Sequence, residues 1–404
     1  MLRVHRERTQ SVVTATSDLR RAISAALPLL GGLALLMVST GIQAPLVGLR
    51  AEAEGFDTLA TGVVMSAYYL GFLVGSRYTP ALVRRVGHVR VFAALASLAS
   101  SSIVVLPLAV HPAAWVLLRT LLGASMAGLY LTVESWLNSL VGNQSRGSLL
   151  GTYILTSMCA MSVGQMLSGT APPTDVTLFV VASVLSSTSL VPLALSSGRP
   201  PRVERAPSVD PGTILRKSPA GFATALLAGA TEGSLFTMTA LWGTRSGFSD
   251  AQVGLMLSAA TFGAVTTLLP LGHTSDRLGR RLVIGVTSIA AAVAAAFVSS
   301  TGPFGWGTVA VFFAFGALAI PHYCLGAALV NDRLRPAEMV TAGGMLVSSF
   351  GLGAIAGPMV VAVLVELMGT DGFPVSLALF QLASAAGVIL GERRPVRAVP
   401  EGVG

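Results

Sequence analysis

The feature of this sequence that most restricts its fold is a succession of long apolar stretches separated by short polar connections. A helix needs about 20 mostly apolar residues to cross a membrane, whereas barrel strands would appear as alternating segments of roughly ten residues. The sequence therefore predicts an all-α integral membrane protein. Twelve transmembrane helices are expected, at residues 23–48, 59–83, 89–110, 113–141, 148–170, 176–196, 219–243, 251–271, 282–301, 307–330, 339–367 and 373–391.

Charged residues are too sparse to cover a water-facing surface. Asp, Glu, Lys and Arg make up 11% of the chain and the mean hydropathy is +0.74, whereas a soluble globular protein carries roughly 25% of these residues. This composition excludes soluble enzymes and disordered chains. The net charge of +8 would suit a nucleic-acid-binding protein, unless membrane topology places the cations.

The cations are distributed as membrane topology would place them. If the N-terminus is cytoplasmic, 23 of the 26 Lys and Arg residues fall in the tails or in cytoplasmic connections. Only Arg50 and Arg245 lie on the other side, and Arg119 lies within a span. This asymmetry follows the positive-inside rule and predicts that both termini are cytoplasmic, with no nucleic-acid partner. No cleavage site follows the first basic residues, so 1–22 is expected to be a cytoplasmic N-terminal tail.

A Pro- and Arg-rich connection divides the spans six and six. We expect an N-terminal six-helix bundle at 23–196, a solvated cytoplasmic linker at 197–218, a C-terminal six-helix bundle at 219–391, and a cytoplasmic tail at 392–404. A shift of about 192 residues superposes the halves, with one residue of slip between Asp57 and Asp250. It pairs Gly62 with Gly254, Gly71 with Gly263, and Gly87 with Gly279. Two parallel repeats of this kind are typical of alternating-access transporters.

The connection after the eighth span carries a recognisable motif. It has the spacing Gly-x-x-x-Asp-Arg-x-Gly-Arg-Arg, formed by Gly272, Asp276, Arg277, Gly279, Arg280 and Arg281. This resembles the loop signature of the major facilitator superfamily (MFS), which lies between helices 8 and 9. The resemblance implies the MFS fold and a gate latch that is made and broken as the halves rock. The glycines permit a tight turn; Asp276 is expected to accept hydrogen bonds from a helix N-terminus, and the arginines to bridge to neighbouring helices.

The resemblance extends into the first half, with one departure. Arg85 and Gly87 keep the core of the motif, but Arg84 stands where the repeat places an aspartate. Arg146 opens helix 5 as in the family, and Arg119 begins an Arg-x-x-x-Gly element on helix 4. The stretch from Val133-Glu134-Ser135 to Gly164-Gln165 is similar to the YcaD-type bacterial branch of the family.

Three charged residues within spans are candidates for substrate binding or proton coupling, because such charges are costly in lipid and tend to face a cavity. They are Glu232, Glu134 and Arg119. On helix 4, Arg119, Tyr130 and Glu134 share one face, but Arg119 and Glu134 are roughly 22 Å apart along the helix and cannot pair directly. Each also has a structural interpretation: a buried hydrogen bond for Glu232, balance of the cytoplasmic arginines for Glu134, and anchoring to helix-end carbonyls for Arg119.

Several neutral polar residues in spans are further candidates for contacts with a substrate. Gln43, Tyr68, Tyr69, Gln165 and His322 have this position, although such groups also join helices. The four tryptophans fall near predicted helix ends, as an interfacial aromatic belt would place them. No Walker A loop, nucleophile elbow or Cys/His cluster is present in the sequence. We therefore expect no enzymatic activity, cofactor or metal.

These features predict a secondary active transporter, a symporter or antiporter, of the bacterial inner membrane. Its partners would be a small-molecule substrate, a co-transported proton and membrane lipid, and a monomer is expected. Proton coupling is preferred because burial disfavours the charged form of a carboxyl group, which makes Glu232 and Glu134 candidate proton carriers. Two alternatives remain: a transport-inactive receptor or assembly factor, suggested by Arg84, and an uncoupled facilitator.

Overall fold

The computed structural model describes residues 2–139, 146–194, 210–298 and 304–391, except for the side chains of 2–25, 138–139, 146–148, 150, 336 and 337. Every regular element in these ranges is helical, with a short 3-10 helix at Gly369–Asp371. The α-helices are α1 (Leu2–Ala53), α2 (Thr58–Val86), α3 (His88–Val105), α4 (Pro112–Ser139), α5 (Arg146–Leu167), α6 (Thr177–Thr188), α7 (Leu190–Ala194), α8 (Pro211–Lys217), α9 (Pro219–Arg245), α10 (Asp250–Leu278), α11 (Arg280–Val298), α12 (Trp306–Ala319), α13 (His322–Asn331), α14 (Pro336–Met368) and α15 (Gly372–Leu390).

Length and hydropathy identify this as a multi-pass membrane protein, as the sequence predicts. Within the described ranges, nine segments are long and apolar enough to cross a membrane. One of them, Glu338–Leu390, has 53 residues and at 1.5 Å per residue would be about 80 Å long, more than twice the hydrocarbon thickness. A break at Gly369, where φ is +67°, divides it into α14 and α15. Helices α5 and α9, the fifth and seventh predicted spans, are not among the nine; α9 is rich in Gly, Ala and Thr, which lower its hydropathy.

The internal repeat is visible in the helix boundaries. Helices α2 and α10 both have 29 residues, and their ends differ by the same offset of 192, as do the first residues of α3 and α11. Gly87 and Gly279 join these helices with φ of +87° and +93°, a conformation that favours glycine. Asp57 and Ser249 cap α2 and α10. The slip expected between Asp57 and Asp250 is therefore absent, because a serine hydroxyl caps a helix as an aspartate does.

The helices form two internally packed sets. In residues 26–194, α1 packs on α5 and α6, α2 on α4, and α3 on α4 and α6; in residues 210–391, α9 packs on α13, α14 and α15, α10 on α12, and α11 on α12 and α15. Glycines allow the closest approaches, since Gly71 faces the backbone of Thr120 and Gly263 that of Phe313. The sets meet mainly through α2 with α14, α5 with α10, and α1 with α9.

Part of the expected linker is folded. Residues 197–209 lie outside the described residues, but the remainder forms α8, whose Ile214 is fully buried against the second set. Asp210 caps this helix, and hydrogen bonds from Thr213 and Gly212 hold the pKa of its carboxyl below the usual value. Residues 211–217 of the expected linker are thus helical, because Ile214 finds an apolar surface to pack on.

The interfacial role expected for the tryptophans is wrong for three of the four. Trp115, Trp136 and Trp242 are buried, whereas Trp306 is 86% exposed. Trp115 donates a hydrogen bond from Nε1 to the Leu106 carbonyl at 3.0 Å, and Trp242 packs among phenylalanine rings. Proximity to a helix end therefore does not separate an interfacial tryptophan from one that packs under a loop.

The contacts between the two sets are tightest at one end of the molecule. We call it the Glu52 end, which carries the connections after α1, α9 and α14; the opposite Asp276 end carries those after α2, α10 and α13. Towards the Glu52 end, a methyl group at Gly62 of α2 would lie 2.8 Å from Ala362 of α14. Towards the Asp276 end, a methyl group at Gly151 of α5 or Gly343 of α14 would meet nothing within 4 Å. Among the described residues, these close glycine contacts between the sets lie towards the Glu52 end.

Candidate functional site

Two adjoining cavities lie between the helix sets. The central cavity has a volume of about 240 Å³ and is lined by Met37, Thr40, Gln43, Ala44, Tyr68, Tyr69, Phe72, Arg119, Tyr130, Met161, Glu232, Phe236, Thr237 and Phe350. The second cavity, about 440 Å³, is lined by Phe72, Glu134, Tyr153, Ile154, Met158, Glu232, Leu268, Ile320, Tyr323, Cys324, Val347 and Phe350. Its residues on α4, α5 and α14 are nearer the Asp276 end, so the space runs from mid-molecule towards that end.

Glu232 lies at the junction of the two cavities. It occupies the middle of the 27-residue helix α9 and lines both spaces. Among the described residues its carboxyl has no hydrogen-bond or ion-pair partner, so the structural hydrogen bond considered above is not formed. The ionisable group thus borders both the central cavity and the space that extends towards the Asp276 end.

Arg119 is almost completely buried and incompletely paired. Its side chain is 2% exposed, and the guanidinium carbon lies 4.7 Å from the centre of the Tyr68 ring. One terminal nitrogen is 3.5 Å from Oε1 of Gln43, the other is 3.8 Å from the Met65 sulfur, and Nε has no partner. No carboxylate of the described residues pairs with it, and it is not anchored to helix-end carbonyls. The cation therefore faces the central cavity with unused donors.

Aromatic residues of α2 and α4 form one wall of the central cavity. Tyr68 and Tyr69 meet edge to face at 5.2 Å between ring centres, and Phe72 lies 6.1 Å from Tyr130. Gly123 permits this arrangement, because a side chain there would collide with the Tyr68 backbone. The Tyr130 hydroxyl is fixed by Thr40 of α1 at 3.1 Å. The wall combines apolar ring faces with hydroxyl groups that can bind a solute.

The structure brings most of the predicted substrate contacts together. Gln43, Tyr69, Arg119, Tyr130 and Glu232 all line the central cavity. Glu134 lines the second cavity instead, together with Tyr153, Tyr323 and Cys324. Helix α4 thus places its arginine and its carboxylate in different parts of the same space.

Two predicted contacts lie elsewhere. Gln165 is buried and accepts a hydrogen bond from Thr261 of α10 at 2.9 Å, which joins the two helix sets. His322 is 1% exposed and bonds through Nε2 with Thr287 of α11 at 2.9 Å. Neither lines a cavity, so both have the helix-joining position that the sequence left open.

Sequence reasoning missed the apolar part of the lining except for Phe236, which shares a helix face with Glu232. Phe72, Phe236 and Phe350 contribute rings to the central cavity, and Met37 and Met161 contribute thioethers. A helical face gives a signal for Phe236, which follows Glu232 by four residues. No feature of the sequence marks Phe350.

The motif around Asp276 forms a turn with ionic contacts to neighbouring helices. Gly279 supplies the positive φ between α10 and α11. Asp276, 57% exposed, pairs with Arg280 at 2.9 Å and not with a helix N-terminus, because the arginine one turn later reaches it first. Arg280 also pairs with Asp332 after α13 at 2.6 Å, and Arg281 donates to the Val388 carbonyl of α15 at 2.6 Å.

The remaining residues of the motif have few contacts. Gly272 lies within α10, and Arg277 and Arg85 are exposed. Gly87 supplies the turn of the first-half copy. The side chain of Arg146 lies outside the described residues. The ion pairs of Arg280 stay within the second helix set and do not join it to the first.

An ion pair that crosses between the sets lies at the opposite end. Arg245 of α9 donates to both carboxylate oxygens of Glu52 of α1, at 2.9 and 3.2 Å, and to the Thr58 hydroxyl of α2 at 2.9 Å. Arg50 pairs with Glu54 at 2.7 Å within the first set. The two cations that the topology count left on this side thus each have a carboxylate partner.

Two repeated helix sets around a charged cavity, sealed at one end, define a membrane transport protein. A sequence profile of the Major Facilitator Superfamily matches residues 29–358 and again 221–403. The chain belongs to this family of transporters, which move small molecules and are not enzymes.

A related protein and two solved structures agree with membership of this family. An uncharacterized MFS-type transporter named YcaD, from Escherichia coli O7:K1, is 24% identical over 367 residues, which are 90% of this chain and 93% of that protein. The structure of the nucleoside transporter NupG superposes with a TM-score of 0.74 at 15% identity, covering 90% of this chain and 98% of that one. A bacterial homolog of the human lysosomal transporter Spinster, in an inward-facing and unoccupied conformation, gives 0.69 at 14% identity, covering 91% and 95%. At these identities the structures establish the fold alone.

Proposed function

We propose that this protein is a secondary active transporter of the bacterial inner membrane, which moves a small molecule by alternating access and couples this movement to protons. The observation that carries the proposal is Glu232, whose carboxyl group has no partner among the described residues and lies at the junction of two cavities between the helix sets. A monomer is sufficient for this function, because a single chain supplies the lining of both cavities.

The topology that fits this function has twelve spans, with six in 23–196 and six in 219–391. Helices α5 and α9 supply the fifth and seventh, because both pack among other helices and tolerate small polar residues there. Because the number of spans is even, this topology has the tails 1–22 and 392–404 on the same side of the membrane. Arg85 and Arg277 are exposed at the Asp276 end, so the positive-inside rule assigns that end to the cytoplasm.

With this orientation the described conformation is closed to the outside. Arg245 and Glu52 hold α9 to α1 across the outer seam, and the second cavity leads towards the cytoplasm. In the opposite state the outer seam opens and the Asp276 end closes. We assign that closure to the gating motif, formed by Gly272, Asp276, Arg277, Gly279, Arg280 and Arg281 with Arg85, Gly87 and Arg146.

Proton coupling follows from the cost of an ionised carboxylate in a membrane interior. Glu232 would carry the proton when the site is occupied and release it when the site empties. The groups that line the two cavities with it include titratable and charged side chains from several helices: Tyr68 and Tyr69 from α2, Arg119, Tyr130 and Glu134 from α4, Tyr153 from α5, and Tyr323 and Cys324 from α13. Glu134, in the second cavity, is a candidate relay to the cytoplasmic side.

Proteoliposomes that contain a pH-sensitive dye test this function. Sugars, amino acids, nucleosides and organic acids are added in turn to the wild type, to Glu232→Gln and to the control Glu366→Gln, which changes an exposed carboxyl group on α14. A solute-dependent pH change is expected in the wild type and the control, and none in Glu232→Gln. An undiminished signal in Glu232→Gln would refute the assignment. Solute flux without a pH change would indicate an uncoupled facilitator. Absence of flux for every solute would indicate a transport-inactive receptor.

The native cysteines offer a second test, of the orientation. Both are free, and Cys324 lines the second cavity. In a Cys159→Ser background, a membrane-impermeant maleimide is expected to label Cys324 rapidly in inside-out vesicles and slowly in intact cells. The reverse pattern would contradict the assigned orientation, and equal labelling from both sides would contradict a sealed outer end.

A further inference from the structure

The central cavity contains a cation that no carboxylate of the described residues contacts. Arg119 keeps its charge under all ordinary conditions, and a buried charge without a counterion is strongly unfavourable. The Tyr68 ring stabilises the guanidinium but carries no negative charge. Nε has no hydrogen-bond partner, and the contact of a terminal nitrogen with Gln43 is long at 3.5 Å.

A second unused donor lies beside this cation. Gln43 is 1% exposed and turns its carbonyl oxygen towards Arg119, which leaves its amide nitrogen Nε2 without a partner. The opposite amide orientation would place two donors against each other, so the guanidinium fixes this one. The unsatisfied buried groups at this point of the cavity are therefore donors, which is the arrangement that binds an anion.

The rest of the central cavity limits what the anion can be. Its walls are largely aromatic and aliphatic, with Phe72, Phe236, Phe350, Met37 and Met161 around the polar groups. A cavity of 150 Å³ is enough for benzene, so about 240 Å³ accommodates one ring or a short aliphatic chain with a charged group. Large polyanions and sugars are poorly matched to such walls.

We infer that the substrate is a small organic monoanion, a carboxylate with an apolar body, whose carboxylate binds Arg119 and the Gln43 amide and whose body packs on the aromatic wall. The inference rests on the proposed transport function and names the substrate class of the same site. The guanidinium fork matches a carboxylate in two-point geometry.

The charges of the site also set the stoichiometry. An empty site with ionised Glu232 and Arg119 is neutral, and a site with the anion bound is neutral only when Glu232 is protonated. Because net charge is costly in a membrane interior, these are the two states that can reorient. One proton therefore moves with each anion in the same direction. The two cavities are lined by further titratable groups besides Glu232: Tyr68, Tyr69, Tyr130, Glu134, Tyr153, Tyr323 and Cys324. They leave this balance unchanged when each keeps one protonation state.

Matched ligands test the binding part of the inference. The purified protein is titrated with 3-phenylpropionate, 3-phenylpropanamide, 2-phenylethylamine and phenylalanine, and with the corresponding hexanoate series, with thermal stabilisation as the readout. The carboxylates are expected to bind at least tenfold more tightly than the amides and the amines. Phenylalanine binding more tightly than 3-phenylpropionate would overturn the inference in favour of a zwitterion that spans Arg119 and Glu232. Absence of stabilisation by every carboxylate would overturn it as well.

Two substitutions assign the effect to the site. Arg119→Gln is expected to abolish the preference for the acid over the amide, and Arg119→Lys to weaken acid binding about tenfold, because the charge remains but the fork is lost. Gln43→Leu, which leaves the cation in place, is expected to weaken it three- to tenfold. An unchanged preference in Arg119→Gln protein that elutes as a monodisperse species would refute the role of Arg119.

Transport measurements separate this inference from the proposed function. Uptake of labelled 3-phenylpropionate above the empty-liposome background should follow a pH gradient and ignore a potential set with potassium and valinomycin. Glu232→Gln should keep exchange of internal for external anion but lose pH-driven accumulation. Arg119-dependent binding without any uptake would refute the transport function and leave the anion site standing. Proton-coupled flux of a neutral solute, unaffected by Arg119→Gln, would refute the anion and leave the transporter standing.

Discussion

Loss of the ion pair between Arg245 and Glu52 should open the outer end of the molecule. This pair joins α9 to α1 across the seam between the helix sets, so it exists only while the Glu52 end is closed. Glu52→Gln removes the charge with little change of shape, and Arg245→Gln removes the cation together with its hydrogen bond to Thr58. Both variants should shift the protein towards the outward-open state.

The size of the shift follows from the geometry. Arg245 makes two hydrogen bonds to the carboxylate, at 2.9 and 3.2 Å, and the side chains are 30% and 25% exposed. A fully exposed pair is worth about 0.2–1 kcal/mol because solvent screens it, and charge-assisted bidentate bonds are stronger. About 1–2 kcal/mol is therefore expected for this partly shielded pair, which corresponds to a roughly 5- to 30-fold change in the equilibrium between the two states.

The open fraction can be measured at Ala44, which lines the central cavity. In a protein with Cys159→Ser, Cys324→Ser and Ala44→Cys, an impermeant maleimide added outside intact cells reaches position 44 only when the Glu52 end opens. While opening is rare, the labelling rate is proportional to the open population. Glu52→Gln and Arg245→Gln should each raise that rate roughly 5- to 30-fold.

A matched control and a double mutant make the test decisive. Glu54→Gln breaks the neighbouring ion pair with Arg50, which does not cross between the helix sets, and should change the rate less than twofold. The double variant Glu52→Gln with Arg245→Gln should label about as fast as the faster single variant, because both remove one interaction. Multiplicative effects of the two substitutions, or an equal effect of Glu54→Gln, would refute the latch.

Three further outcomes are expected from thermal unfolding of the purified protein. Gly279→Ala should destabilise it by about 1–3 kcal/mol because its φ of +93° disfavours a side chain, whereas Gly272→Ala, within a helix and facing open space, should be neutral or slightly stabilising. His322→Leu should lower the melting temperature through loss of its bond with Thr287, while the apparent affinity for substrate stays unchanged; a changed affinity would place His322 in the site after all. Ile214→Ala should cost about 2 kcal/mol because this fully buried side chain docks α8, and an unchanged melting temperature would show that α8 contributes little.

The helices and their repeat could be predicted because lipid restricts a chain so strongly. Apolar length indicates where a helix crosses, and the glycines indicate where the chain turns. The offset of 192 between Gly87 and Gly279 in the sequence recurs between the boundaries of α2 and α10 and between the first residues of α3 and α11. The charged residues within spans could be predicted as candidate site residues for the same reason. A charge that cannot face lipid must face a cavity or a partner, and Arg119, Glu134 and Glu232 all line the space between the sets.

The apolar lining could not be predicted, because a phenylalanine suits lipid and a cavity wall equally well. Phe262 and Phe297 are 52% and 57% exposed on the outer surface of the helices, while Phe350 lines the central cavity, and their sequence surroundings do not differ in kind. The neutral polar residues have the same difficulty. Gln43 lies beside Arg119 whereas Gln165 pairs with Thr261, and only the neighbouring helix decides between a ligand contact and a helix contact.

Ion pairs within the chain account for two of the three cations that depart from the positive-inside distribution. Arg50 and Arg245 violate the positive-inside pattern, yet each has a carboxylate close by, so neither presents net positive charge at the outer surface. Arg119 is the remaining exception, and it differs in having no acidic partner among the described residues. The other two cations that depart from the topology rule have a carboxylate in contact, and the open ion-pairing position of Arg119 is where we place the anionic group of the proposed substrate.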